Sequence, residues 1–372
     1  MENSYYSLFL FFTVLIGTLF LIPKIRHISL KFNFTDMPGK RSSHSKITPT
    51  FGGVAFYISY LFVLFFLQLM KDNQVSFTLL ASISVLFFTG MLDDILNLSV
   101  KLKFLGQFLG VTLLMIQPDF RILSLHGFLG IYEISLFASI GGSMFFLLAL
   151  VNAFNLLDGI DGLTAITGII VASFYSFMFY QLESLYYLCI SVTTIATLLA
   201  FLRFNFSVKQ KIFMGDTGSL SIGLVLGLLT LKLMSSGSAG YLAMHFEPKQ
   251  LPLLLIAVLF VPILDLCRVM LIRLLKGVSM FKPDRNHIHH IIVDYGLSHW
   301  KASSLIGLVN FMVAVGMFFV IVNCTPAQSL FLLVVAFAFS TFLLFLMNKK
   351  QGAMKLKVKI KNSMLRMFFF IW

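Results

Sequence analysis

Charge is what this chain has least of. Only 12% of its 372 residues are Asp, Glu, Lys or Arg, against about 25% in a soluble globular protein. The deficit runs along the whole length, 58% of the residues are hydrophobic, and the mean hydropathy is +0.93. A soluble domain on a single anchor is excluded; this is the composition of an integral membrane protein with many spans. Cysteine is scarce as well. Cys189, Cys267 and Cys324 lie within or beside apolar runs and no CxxC occurs, so neither a disulfide framework nor a zinc–thiolate site is expected. They read as small packed apolar residues. Acids number 15 against 28 bases. The resulting +13 suits anionic lipid headgroups and phosphorylated substrates. No basic stripe accompanies a recognition module, so nucleic acid is not an expected partner.

What is there is a series of apolar runs. A helix needs about 20 apolar residues to cross a bilayer, and eleven runs qualify as candidates: 5–23, 51–70, 76–92, 104–118, 135–153, 163–181, 184–202, 218–234, 251–273, 302–322 and 327–348. The run 104–118 is the shortest. The stretch 119–134, broken by Gly127 and Gly130, reads as a hairpin or surface-lying loop. The run from Tyr5 to Ile22 has no basic flank or small-residue cleavage site of a signal peptide and reads as a retained helix. With the N-terminus outside and the spans alternating, every basic residue but Lys71, Arg121, Lys232 and Lys249 falls inside, as the positive-inside rule demands. The fold expectation is an all-α polytopic bundle of ten or eleven helices, one domain over 1–348. A basic cytoplasmic tail follows over 349–372 and suits an anionic leaflet. No internal repeat is evident.

Against so few acids, four polar clusters stand out, and carboxylates beside membrane are expensive and tend to be functional. Asp93 and Asp94 end the third run. Asn152, Asn155, Asp158 and Asp161 recur every third residue in VNAFNLLDGIDG after the fifth. Gly215-Asp216-Thr217-Gly218-Ser219 opens the eighth, and His287-Ile288-His289-His290, preceded by Asp284 and Arg285, follows the ninth. The eleven-span count puts all four on one side. Adjacent carboxylates on a helix point about 100° apart, so Asp93 and Asp94 need not share a ligand, and any titration belongs to the pair. Three-residue spacing drifts by about 60° per step, so the Asn/Asp set curls around a ligand at a helix end, and Mg²⁺ takes such oxygen donors while keeping waters. Asp216 heads a helix whose N-terminus attracts phosphate, though the P-loop spacing is missing. The histidines have no cysteine near them, which disfavours zinc; beside Arg285 they suit phosphate or nucleotide contacts. Lys101 and Lys103 follow the acidic pair and can neutralise phosphate. Together these parts read as a phosphate-handling site with one lipid and one soluble substrate.

On the stretches DMPGKRSSHSKITPTFGG (36–53), GMLDDILNLSVKLKFLGQ (90–107), NAFNLLDGIDGLTA (152–165), FMGDTGSLSIG (213–223) and DRNHIHH (284–290), the chain resembles the polyprenyl-phosphate N-acetylhexosamine-1-phosphate transferases. The resemblance implies a cytoplasmic cleft in a bacterial inner membrane and a Mg²⁺ cofactor, with Mn²⁺ as a substitute. It implies transfer of a sugar 1-phosphate from a UDP-N-acetylhexosamine to undecaprenyl phosphate with release of UMP, the first membrane step of cell-wall or surface-polysaccharide synthesis. It implies that Asp216 and Asn155 hold the metal and that Asp93, Asp94, Asp158, Asp161 and Asp216 are catalytic. Lys103, Asn152, Asn155, Arg285, His287, His289 and His290 are implied to bind substrate. HIHH resembles the branch using UDP-N-acetylglucosamine or related sugars, 6-deoxy acetamido sugars included; the muramoyl-pentapeptide branch shows three consecutive histidines. Asn97 stands where many relatives carry an acid. A homodimer is left open. The rival reading is an ion-coupled transporter, whose sites lie near the midplane between inverted repeats; a structural membrane subunit without chemistry is the third.

Overall fold

The computed structural model describes residues 2–36, 47–69, 73–279 and 286–369. In chain order these form α1 (Glu2–Lys31), the two-residue strands β1 (Thr35–Asp36) and β2 (Thr48–Pro49), α2 (Gly52–Leu69), α3 (Asn73–Leu96), α4 (Val100–Leu114), α5 (Leu136–Leu157), α6 (Leu163–Gln181) and α7 (Leu185–Asn205). There follow α8 (Gly215–Ser235), α9 (Ser238–Ala243), α10 (Leu251–Val258), α11 (Phe260–Leu275), α12 (Ile288–Asp294), α13 (His299–Asn323) and α14 (Pro326–Phe369). The architecture is an all-α polytopic membrane bundle. Among the described residues nine helices are long and apolar enough to span, or ten if α10 and α11, bent by 73°, form one broken span.

The expected span 104–118 is α4, only 15 residues or about 22 Å long. It is not among the nine helices long enough to span, and it runs back along α3. Lys103 in its first turn meets Asn155 near the end of α5, and just past its last turn Gln117 Nε2 donates to Thr78 Oγ1 near the start of α3 at 3.2 Å. The expected straight span 251–273 is the bent pair instead. Asn310 of α13 resolves the break: its Nδ2 donates to Val258 O and its Oδ1 accepts from Val261 N, both at 2.9 Å. Freed backbone groups inside a membrane need such partners. The expected hairpin over 119–134 is present, closed by Ile134 N donating to Leu123 O at 3.0 Å.

α8 is the axis of the bundle. Its apolar window is 94% buried, whereas that of α14 is 11% buried, so α14 is peripheral and lipid-facing. The hydroxyls on α8 turn back on their own helix, Ser221 to Thr217 O and Thr230 to Leu226 O, which satisfies them without water. Tyr175 of α6 meets Thr230 at 2.6 Å, and Tyr60 of α2 meets Thr194 of α7 at 2.9 Å. Three backbone bonds then tie the start of α2 to the start of α8: Phe213 N to Pro49 O, Gly52 N to Phe213 O and Gly53 N to Met214 O. They fix where Asp216 emerges.

Candidate active site

The ends of α3, α5 and α8 meet around a cleft of about 710 Å³, within the usual range for small-ligand sites. Six carboxylates line it: Asp36, Asp93, Asp94, Asp158, Asp161 and Asp216. Asn97, Asn205, Phe213, His290 and His299 also line it.

Asp94 is spent on the start of α8. Its Oδ1 accepts from Asp216 N at 2.9 Å, and its Oδ2 accepts from Thr217 N at 3.1 Å and Thr217 Oγ1 at 2.5 Å. Those N–H groups are among the orphan donors of a helix N-terminus. Gly215 makes this approach possible. It sits at φ +71°, and a Cβ there would lie 2.5 Å from Asp94 Oδ2.

Asp93 faces the other way. One oxygen accepts from Leu98 N at 2.7 Å and the other lies 3.0 Å from Lys103 Nζ. That ammonium also donates to Asn155 Oδ1 at 3.1 Å and to Asp216 Oδ2. Asn155 Nδ2 in turn donates to Asp216 Oδ1 at 2.7 Å and to Ser219 Oγ at 2.9 Å. Oxygens from three helices thus converge on one cation. Asn97, left-handed at φ +51°, ends α3 beside them; asparagine tolerates that conformation where most residues do not.

Asp158 and Asp161 sit in the loop between α5 and α6. Burial, with the negative charges of Asp216 and Asp94, holds the Asp158 carboxyl well above the usual range. Asp161 is half-buried, which alone would raise it, but His299 and Lys211 outweigh that and hold it below the usual range. Lys211 Nζ lies 2.7 Å and His299 Nδ1 3.0 Å from Asp161 Oδ2.

The remaining expected residues are placed differently. Asn152 forms a reciprocal amide pair with Gln107 of α4, at 2.8 and 3.3 Å, and joins helices rather than lining the cleft. Of the histidines, His290 lines the cleft, while His287 and His289 are buried. His287 Nδ1 meets Asp265 Oδ2 at 2.8 Å, and Asp265 Oδ1 accepts from Ile288 N at 2.9 Å, the first turn of α12. The His289 ring packs on the acidic loop: a Cβ at Gly159 would lie 2.2 Å from its Nε2. Burial, with the neighbouring His290 charge, pushes His289 down to about 3. Arg285, with Asp284, lies outside the described residues, as does 37–46 of the first matching stretch. The sequence reading missed Asp265, although an isolated carboxylate in an apolar run is the same signal that exposed the other clusters. It also missed His299, which no local pattern marks.

Among the described residues no three His, Cys, Asp or Glu side chains gather as a protein-only metal cage. The donor set at Asp216 and Asn155 fits Mg²⁺ nonetheless, since that ion takes one or two carboxylates and fills its octahedron with water and phosphate. The point where Lys103 now sits is one where oxygens already converge on positive charge.

The glycosyl transferase family 4 model matches residues 76–234. The chain is 29% identical over 331 residues to a probable undecaprenyl-phosphate N-acetylglucosaminyl 1-phosphate transferase of Bacillus subtilis, covering 88% of each chain. It is 30% identical over 315 residues to an undecaprenyl-phosphate alpha-N-acetylglucosaminyl 1-phosphate transferase of Escherichia coli O157:H7, covering 83% of this chain and 80% of the relative. The Yersinia pestis protein of that name is 29% identical over 296 residues, 78% of this chain and 77% of the relative.

Proposed function

Because the chain belongs to glycosyl transferase family 4, we propose that it moves the sugar 1-phosphate of a UDP-N-acetylhexosamine, foremost N-acetylglucosamine, onto undecaprenyl phosphate and releases UMP. We place the cleft on the cytoplasmic face of a bacterial inner membrane, in keeping with the inward bias of the basic residues.

The observation that carries this reading is the shared ammonium of Lys103, held between Asp93, Asn155 and Asp216 on the wall of a cleft with six carboxylates. So acidic a cleft repels a diphosphate unless cations enter with it. Asp216 and Asn155 are the residues that would hold Mg²⁺, or Mn²⁺ in its place. Such an ion supplies charge neutralisation of phosphate oxygens.

In the reaction an oxygen of the lipid phosphate attacks the sugar-linked phosphorus. The bond from that phosphorus to the bridging oxygen breaks, and UMP leaves with the electron pair. A phosphate monoester has a second pKa near 6, so the attacking oxygen needs little help from a base. Asp93 then serves to hold and orient Lys103 beside the incoming phosphate. Asp94 acts through α8, whose first turn it fastens, and Asp158, which retains a proton more readily than a free carboxyl, can donate a hydrogen bond to a phosphate oxygen. A transporter is not favoured, because the clusters gather at one end of the bundle.

The test is UMP release by purified protein given undecaprenyl phosphate, UDP-N-acetylglucosamine and Mg²⁺. Asp216→Ala should abolish release while the protein stays monodisperse. Retained activity in that variant removes Asp216 from the metal site.

A further inference from the structure

Two separate polar networks line one cleft. The first surrounds Lys103. The second is Asp161 with Lys211 and His299, and among the described residues no hydrogen bond joins the two. A donor whose sugar-linked phosphate lies at the first must present another group to the second.

His299 opens α13 and is oriented from behind. Its Nδ1 is engaged by Asp161 Oδ2 at 3.0 Å, its side chain is 20% exposed, and it lines the cleft. Its Nε2 has no protein hydrogen-bond partner among the described residues. A carboxylate on one ring nitrogen fixes the orientation of the ring and the role of the other. The tether between α13 and the acidic loop does not need the imidazole: Ser303, one turn later, donates its hydroxyl to Asp161 O at 2.5 Å, and Lys211 independently pairs the carboxylate. His299 is therefore placed as a presented group rather than as a strut.

The charge at this point says what it is presented to. Lys211 and the N-terminal end of a 25-residue helix, which carries partial positive charge, make it a second electropositive spot in an acidic cleft. The donor's second anionic group is the phosphate attached to uridine.

We propose that His299, aimed by Asp161, donates a hydrogen bond from Nε2 to the uridine-bearing phosphate of the donor and of the UMP product. This rests on the function proposed above. With Nδ1–H directed at a carboxylate, donation from Nε2 means that the ring binds as the imidazolium, flanked by one anion on each side.

The test uses the full-length protein in detergent and two substitutions. In His299→Asn the amide nitrogen can replace Nδ1 toward Asp161, but nothing reaches the Nε2 position. In His299→Gln the amide nitrogen reaches the Nε2 position and the bond to Asp161 is lost. UMP and uridine are titrated calorimetrically, and KM is measured for both substrates. His299→Asn should weaken UMP and raise the donor KM about tenfold, leaving uridine binding and the lipid KM unchanged, with His299→Gln affected less. Wild-type behaviour of His299→Asn with impairment of His299→Gln would make the ring a tether and overturn the proposal. Equal weakening of uridine and UMP would overturn the phosphate contact. Loss of the fold in His299→Asn, read by thermal unfolding without ligand, would overturn it too. If the wild-type protein neither binds UMP nor releases it, the proposed function itself falls, an outcome distinct from all of these.

Discussion

Asp93 and Asp94 are neighbours in sequence, yet the structure assigns them opposite duties, and substitution can tell them apart. In Asp94→Asn the remaining oxygen can still accept from Asp216 N, but an NH₂ group now faces Thr217 N–H where an oxygen stood 3.1 Å away. Losing one charge-assisted bond costs about 1.5–3 kcal/mol, and losing an anion from a helix N-terminus adds about 0.3–1 kcal/mol. The expected loss is about 2–4 kcal/mol. Asp93→Asn keeps an oxygen for Leu98 N and gives up a partly exposed ion pair with Lys103, so its cost stays below about 1 kcal/mol. Unfolding by SDS in mixed micelles, followed by helicity, measures both, with UMP release measured in parallel. Both variants should turn over slowly, and only Asp94→Asn should unfold early. Equal stability of the two, or an Asp94→Asn protein as stable as wild type, would refute the division of roles.

Further expectations follow from the same geometry. Gly159→Ala drives a methyl into the His289 ring and should destabilise by about 1–3 kcal/mol; adding His289→Ala should recover part of the loss, which a double-mutant cycle reads directly. His289 titrates at about 3 in the fold against about 6.5 when unfolded, so the unfolded chain binds the extra proton between those values and stability falls as pH drops through that window. His289→Gln should flatten that part of the stability–pH curve. Asp161 is held below its ordinary value, so its stabilisation is complete above about pH 4, the unfolded carboxyl value, and is lost as pH falls through the lower folded value. Asp161→Asn should cost about 1–3 kcal/mol at neutral pH, with the gap to wild type closing in acid.

The bundle was legible because a bilayer imposes a length on every span, and most apolar runs became helices near their expected bounds. The exceptions have causes beyond local sequence. The bend between Val258 and Phe260 is stabilised by Asn310, 49 positions away from Val261. α4 can be short because it packs against α3, where Ser82 donates to Gly110 O at 2.6 Å. At the site, scarcity of charge pointed to Asp93, Asp94, Asp158, Asp161 and Asp216, and the fold brings all five to one cleft. Periodicity carried less: the turn between Asn152 and Asn155 directs one toward Gln107 and the other toward Asp216. His299 was invisible because its partner Asp161 lies 138 positions earlier.

The central claim is that a sugar leaves its donor with one phosphate still attached. Purified protein, undecaprenyl phosphate and UDP-N-acetylglucosamine carrying ³²P in the sugar-linked phosphate decide it. The account predicts label in the lipid fraction and uridine recovered as UMP in equal amounts, with neither formed by Asp216→Ala. Uridine recovered as UDP, with the label remaining in water, would contradict it.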